Sequence, residues 1–391
     1  MPEGTPLDPT AKRMMSPVED LKTKEVEDEP AAGVALCLSG GGYRAMMFHT
    51  GALWRLAEAG WLERLDRVSS VSGGSITAAV LGAAWSTVKP GTAGSLDRFK
   101  SAVVAPIRAL ASRNLDAKAI LGGALLPGTI ADWIADAYDK YLFGGKTLQS
   151  LPDFPRFVIN ATNVQSGALW RFMKPYMRDY RVGEVRSPEV PLATAVAASS
   201  AFPPFLSPME IELNPASFTP NSGKDLQFPP YTTEAVLTDG GVYDNLGLET
   251  AWKRYRTILV SDAGGRMAAE PNPKRDWVRH VRRVLDVVDN QVRSLRKRQV
   301  IDSFKSGSRL GSYWGIRTNI RDYGLQDPLP CPHDSTMKLA AEPTRLRSMD
   351  SSLQERLINW GYAVCDAAMR RHVDPALTMP TGFPFPTTSV G

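Results

Sequence analysis

Residues 33–45 read GVALCLSGGGYRA and residues 67–75 read RVSSVSGGS. In the first, a short apolar run, 33–38, stops at Ser39-Gly40-Gly41-Gly42, the pattern of a strand that ends in a glycine turn. Residues 43–59 then carry Met47, Ala52, Leu53, Leu56 and Ala59 at helical spacing, with Gly60 placed as a C-cap. In the second, residues 67–71 form another short strand, and residues 73–88 follow as a helix of small side chains. A β-α-β-α opening implies parallel strands joined by crossover helices.

The same reading extends outward. Residues 156–161 (RFVINA), 168–173 (ALWRFM), 235–237 and 257–261 (TILVS) are expected strands. A short helix over 193–200 is stopped by Pro203-Pro204, and two long amphipathic helices are expected over 277–300 and 351–371. Between Pro90 and Pro152 helices and loops alternate without a placement. Residues 1–31 are Pro-rich and charged without periodicity, which predicts a disordered lead. The tail, 374–391, holds four prolines and is expected to be irregular, with Phe383 and Phe385 available to dock. No repeat of 20–50 residues is visible. The fold class is therefore α/β: a three-layer α/β/α arrangement around a mainly parallel central sheet.

Composition narrows the chemistry. The 391 residues are 43% hydrophobic and 22% charged, with a formal charge of +5, so a globular core is affordable and a disordered chain is excluded. Three scattered cysteines cannot build a disulfide framework and predict a reducing, cytoplasmic setting. Four histidines leave little material for a metal site, and no metal or other cofactor is expected. The first fifteen residues lack the apolar run of a signal peptide. Two uncharged stretches, 68–88 and 190–209, are broken by glycines or prolines and do not read as membrane spans.

Three motifs carry chemistry. Ser72 stands between a strand and a helix in Ser70-Val71-Ser72-Gly73-Gly74, where a sharp turn lifts its hydroxyl above the sheet and the glycines leave room for an ester. A plain βα turn would look similar. Gly40, Gly41 and Gly42 open the first helix, so several N–H groups can converge on a phosphate or a developing oxyanion. The spacing Gly40-x-Gly42-x-x-Ala45 also meets the loose dinucleotide fingerprint, but no acidic residue ends the next strand and no G-K-[ST] follows. Oxyanion stabilisation fits better. Asp239 follows the apolar run 235–237 and precedes Gly240-Gly241, which places a carboxylate at a strand end. A hairpin turn would use the same residues.

In combination and in this order, the three motifs resemble the patatin-like phospholipases. The resemblance lies in Ser39-Gly40-Gly41-Gly42-Tyr43-Arg44, in Ser70-Val71-Ser72-Gly73-Gly74-Ser75, in the stretch AASSAFPPF at 197–205, and in Asp239-Gly240-Gly241-Val242-Tyr243-Asp244-Asn245. It departs at Ser70, where the elbow usually begins with glycine, and at Ala45, where a glycine often follows the arginine. The resemblance implies a patatin-like catalytic domain over 32–373 and a Ser-Asp dyad without histidine. Ser72 would be the nucleophile, Asp239 its base, and the N–H groups of Gly40, Gly41 and Gly42 the oxyanion hole. Arg44, Gly74 and Gly240 would support them. The implied activity is hydrolysis of fatty-acyl esters of phospholipids or lysophospholipids.

Two other readings compete. A Ser-His-Asp triad would draw on His280, His333 or His372. A non-catalytic nucleotide- or lipid-binding module would use only the glycine loop. The basic stripe of the 275–298 segment (Arg275, Arg279, Arg282, Arg283, Arg293, Arg296, Lys297, Arg298) lies beside apolar Val278, Val281, Leu285, Val288, Val292 and Leu295. Its apolar side is expected to pack on the core with the basic side in water, docking on anionic headgroups being the functional alternative. The +5 charge is compatible with peripheral contact with an anionic membrane, and no nucleic-acid motif is visible. Cys331-Pro332-His333 reads as a loop rather than a metal pair, and His49 as a packed or capping side chain. The stretch 160–163 is expected near the site, without a role.

Overall fold

The computed structural model describes residues 30–116, 129–203, 206–265 and 267–391. The expected disordered lead therefore lies, but for its last two residues, outside the described residues, as do Pro204 and Phe205 of the alanine- and proline-rich stretch. Ten strands are described: β1 (Ala31–Leu38), β2 (Arg67–Ser70), β3 (Arg156–Asn163), β4 (Ala168–Phe172), β5 (Tyr176–Asp179), β6 (Gly183–Arg186), β7 (Met209–Glu212), β8 (Glu234–Asp239), β9 (Tyr255–Asp262) and β10 (Leu310–Gly315). Five helices frame the site and its surroundings: α1 (Gly42–Glu58), α2 (Gly73–Ala83), α3 (Leu192–Ser199), α4 (Trp277–Lys305) and α5 (Ser351–His372). The unplaced stretch before residue 152 contributes shorter helices, among them Ala105–Ala111 and Ile130–Tyr138.

All ten strands join one sheet, with the order β10-β9-β1-β2-β3-β4-β5-β6 along its main path. From β10 to β3 the neighbours run parallel. Beyond β3 every pairing is antiparallel, and so are those of β8 with β3 and β7. The sheet is thus mixed: its parallel part is the βα half that the glycine turns announce.

Both faces of the parallel half are covered. On β1, Leu36 and Leu38 join the large core beneath α1, α2 and α5, while Ala35 and Cys37 join a smaller one with Leu246, Leu248, Ala251 and Val300. Alternation along one strand therefore feeds two helical layers. Helices α1 and α5 meet at unusual proximity. A Cβ on Gly51 would lie 1.9 Å from the Ile358 carbonyl oxygen, and one on Gly361 would lie 1.9 Å from that of Phe48. Only glycine admits this crossing, which lets the two backbones touch.

The tail beyond residue 373 forms neither helix nor strand, yet it is pinned. Asn359 on α5 donates to the carbonyls of Phe385 (2.8 Å) and Ser389 (2.6 Å), and Phe385 stacks edge-on against Trp54.

Helix α4 corrects an expectation. Its apolar stripe does not pack on the core: Trp277 is 79% exposed, Leu285 61% and Leu295 56%. Part of the basic side faces inward instead, because buried Asp262 and half-buried Glu249 hold Arg293, Arg296 and Lys297, while Arg279, Arg282 and Arg298 stay exposed. Asp262 pairs with Lys297 at 2.5 Å and with Arg293 at 3.7 Å, and Glu249 pairs with Arg296 at 2.9 Å. Only near its end does α4 become buried, at Val300 and Ser303. Among the described residues, no helix is long and apolar enough to cross a membrane.

Candidate active site

Strand register brings Ser72 and Asp239 together. Strand β2 lies along β3 up to the pair Ser70–Ile159, and β8 lies along β3 up to the pair Asp239–Ala161. Since β4 occupies the other edge of β3 over Ile159–Asn163, β2 and β8 must share one edge and approach each other end to end. Asn160 sits level with the gap between them. The carboxylate thus does not project from the common C-terminal edge of parallel strands; it arrives on an antiparallel strand from the opposite direction.

Ser72 occupies that gap with φ 50° and ψ −126°, a conformation that costs a non-glycine residue about 1–3 kcal/mol and is kept only when the surroundings enforce it. The enforcement comes from Ser199 at the end of α3. Its carbonyl accepts the N–H of Ser72 at 3.1 Å and that of Gly240 at 3.2 Å. Its hydroxyl donates to the Asn160 carbonyl at 2.6 Å and meets Ser75 Oγ at 2.8 Å. Asn160 in turn donates to Ser69 Oγ and the Ser70 carbonyl, 3.0 and 2.9 Å. Sequence reading gave Ser199 no role and left Asn160 unassigned. The signal for the first lay in AASSAFPPF, whose serines looked like ordinary small residues.

Asp239 is held by its backbone. Its N–H donates to the Ala201 carbonyl at 3.0 Å and its carbonyl accepts from Thr162 Oγ1 at 2.9 Å. Of its carboxylate oxygens, Oδ1 accepts the Gly241 N–H at 2.7 Å, while Oδ2 is buried and has no hydrogen-bond partner among the described residues. Burial pushes the carboxyl up to about 7, against the lowering effects of the Gly241 N–H and the nearby Ser72 hydroxyl. No hydrogen bond of standard geometry closes between Ser72 and Asp239, whose strands meet end to end across the gap. Charge on Asp289 of α4 adds a smaller upward push.

The glycine loop borders the same gap. A Cβ on Gly40 would lie 3.1 Å from Ser72 Cβ, and one on Gly73 only 2.2 Å from the Gly42 carbonyl oxygen. Gly41 and Gly42 have φ of 142° and 59°. The Gly40 N–H donates to the Asn245 carbonyl at 3.1 Å, so it is already used. That removes Gly40 from the expected set of three donors and leaves Gly41 and Gly42, whose N–H groups have no acceptor among the described residues. Gly74 and Gly240 are packing positions: a Cβ there would lie 2.5 Å from the Leu38 carbonyl and 2.2 Å from the Asn160 carbonyl.

Arg44 is buried and braces the loop from behind. It donates to the Ala263 carbonyl at 3.2 and 3.1 Å, to Thr344 Oγ1 at 3.0 Å, and to the Glu342 carbonyl. His49 is buried as well. Its Nε2 faces the Ser39 carbonyl at 2.9 Å and must carry the proton, so Nδ1 accepts from Ser261 Oγ at 2.8 Å. Burial holds it down to about 4, so it stays neutral and ties α1 to β1 and β9. His280, His333 and His372 are exposed, and His372 rests against Tyr323. Among the described residues, neither Ser72 nor Asp239 bonds to a histidine, and no three His, Cys, Asp or Glu side chains gather as a metal site would.

Fold and site define an α/β protein in which a strained serine elbow meets a buried aspartate beside a glycine loop. The family model for patatin-like phospholipases matches residues 36–252, over half of the chain, and the chain belongs to that family. Among curated proteins none matches. Human GIVD cytosolic phospholipase A2, in complex with methyl gamma-linolenyl fluorophosphonate, is similar over 92% of this chain and 60% of its own, at 13% identity and a TM-score of 0.48. Another structure of that human protein aligns with 68% of this chain and 52% of its own, at 14% identity and a TM-score of 0.39. VipD from Legionella pneumophila aligns over 88% of this chain and 67% of its own, at 14% identity and a TM-score of 0.34. The chain therefore spans 47–60% of the human protein's aligned chains.

Proposed function

We propose that this chain is a serine acyl hydrolase that cleaves fatty-acyl esters of phospholipids or lysophospholipids through Ser72 and Asp239. The observation that carries the reading is the unpartnered, buried Oδ2 of Asp239 beside a strained Ser72, on a carboxyl pushed up to about 7. An ordinary carboxylate, near 4, is a poor base for a hydroxyl, and desolvation corrects that. Ser72 Oγ attacks the ester carbonyl carbon while its proton passes to Asp239 Oδ2. The oxyanion is received by the N–H groups of Gly41 and Gly42. The leaving alcohol takes the proton from Asp239 and leaves an acyl-Ser72. Water then attacks the acyl carbon and gives its proton to Asp239 Oδ2, which passes it to Ser72 Oγ as the Oγ–acyl bond breaks and the fatty acid departs. The unit assigned to this chemistry is 32–373, since α5 lies outside the matched segment yet packs directly on the helix that carries the glycine loop. Three unpaired, buried cysteines fit a reducing, cytoplasmic setting.

A fluorophosphonate probe should label the wild type and not Ser72→Ala, and Ser72→Ala should lose at least about a thousandfold in ester hydrolysis. The limb of kcat/KM should rise with pH through about 7, because Asp239 must be ionised to accept a proton. Labelling of Ser72→Ala at the wild-type rate, or full hydrolysis by Asp239→Asn, would sink the proposal. Replacing His280, His333 and His372 by alanine should leave activity standing; its collapse would restore the triad.

A further inference from the structure

Helix α4 holds Arg293, Arg296 and Lys297 against the protein and turns an unpartnered apolar stripe to solvent. Val278, Val281, Leu285, Val288, Val292 and Leu295 follow one another at alternating intervals of three and four, and all are exposed. Trp277 opens the helix at 79% exposure. Contiguous exposed apolar surface of this extent, along a 29-residue helix, marks a surface that is covered by a partner or a membrane.

Three observations point to the covering surface. The first is charge. Among the described residues Arg282 and Arg298 have no acidic partner, and they flank the stripe at about 100° to either side on a helix of 3.6 residues per turn. Cations in that position meet headgroup phosphates while the stripe enters the acyl boundary. The second is location. Arg293 reaches the Gly265 carbonyl at 3.2 Å and Asp262 at 3.7 Å, and the intervening Ala263 carbonyl receives Arg44 from the glycine-loop helix. Helix α4 therefore runs beside the candidate site, and Asp289 lies near enough for its charge to act on Asp239. The third is the rim of the site, where Phe202 and Val242, each within three residues of a backbone group that holds or follows Asp239, are exposed.

We propose that the outer face of α4 is a docking surface for an anionic lipid bilayer, which brings the site mouth to the lipid. The choice of a bilayer rests on the lipid-hydrolase reading of Ser72 and Asp239. A second copy of this chain, zipped along the same three-four spacing, is the competing occupant.

The test separates docking from catalysis by using Ser72→Ala protein, which is silent in the proposed chemistry. It should co-sediment with phosphatidylcholine vesicles containing about a third phosphatidylglycerol at least about tenfold more tightly than with pure phosphatidylcholine, and less so as salt rises. Adding Val281→Ser, Leu285→Ser and Val288→Ser should reduce binding by about tenfold or more with an unchanged circular dichroism spectrum. Arg282→Glu with Arg298→Glu should remove the preference for anionic vesicles. Should the serine variant fail to fold, Trp277 serves alone: its emission should shift to the blue on vesicle addition, and Trp277→Phe should abolish that change. Absence of vesicle binding, or undiminished binding by the folded serine variant, overturns the proposal. So does a sedimentation result in which the parent is a dimer and the serine variant a monomer. Fluorophosphonate labelling of the wild type fails or succeeds independently of all of these.

Discussion

Helices α4 and α5 carry comparable apolar stripes, and the fold treats them in opposite ways. Along α5, Leu357, Ile358, Trp360, Ala363 and Val364 are sealed beneath α1, and Gly361 lets the helix axes approach until backbone meets backbone. Along α4 the apolar residues are β-branched or large, and the helix has no glycine or alanine at which a partner helix could close in. Apart from Val300 near its end, its attachment is electrostatic, through Lys297 and Arg293 to Asp262. Burial pushes the Asp262 carboxyl up, but those two cations and the Tyr313 hydroxyl outweigh it and hold it well below the usual carboxylate range. One helix is part of the core; the other is moored to it by charges.

That contrast can be broken at three points, in order of expected effect. Gly361→Leu should be the most damaging, because a Cβ 1.9 Å from the Phe48 carbonyl oxygen forces α1 and α5 apart. A loss of about 3 kcal/mol or more is expected in denaturant unfolding. A wild-type midpoint would mean that the helices do not meet as described. Next comes Asp239→Asn, at the candidate site. The folded carboxyl titrates near 7, above its unfolded value near 3.8, so its favourable contribution is complete below that unfolded value and is lost as pH rises through 7. Asparagine stays neutral throughout. The variant should gain stability over the wild type, by a few kcal/mol at pH 8 and less than half of that at pH 5, by thermal unfolding across that range. A gain that does not depend on pH would remove the raised carboxyl from the account. Smallest should be Leu285→Ser on α4, within about 0.5 kcal/mol of wild type, because an exposed side chain has little to lose. A drop comparable to that of Gly361→Leu would show that the stripe is covered in solution.

The strands and helices around the two glycine turns were legible because each signal is local. Periodicity and a following Gly turn place β1, α1, β2 and α2 within a few residues. Asp239 could be named as a candidate, but not its route to Ser72, since pairing of β8 with β3 against the direction of β2 is a long-range choice that no local pattern encodes. Ser199 escaped for a related reason: its use lies in a carbonyl, which every residue possesses. A glycine triplet does not reveal which of its N–H groups is already engaged, and here the Asn245 carbonyl takes that of Gly40. For α4, the stripe was visible and its direction was not. Periodicity says that one side is apolar; the acids at 249 and 262 decide which side turns inward.

The Ser199 carbonyl has one more implication. It receives the N–H of Ser72 and the N–H of Gly240, the residue that follows Asp239. The two reactive candidates belong to strands that meet only end to end, yet both take their position from one peptide oxygen. Breathing of the sheet that carries α3 along moves them as a pair, so their separation is referenced to a single point and is insulated from the looseness of the strands themselves.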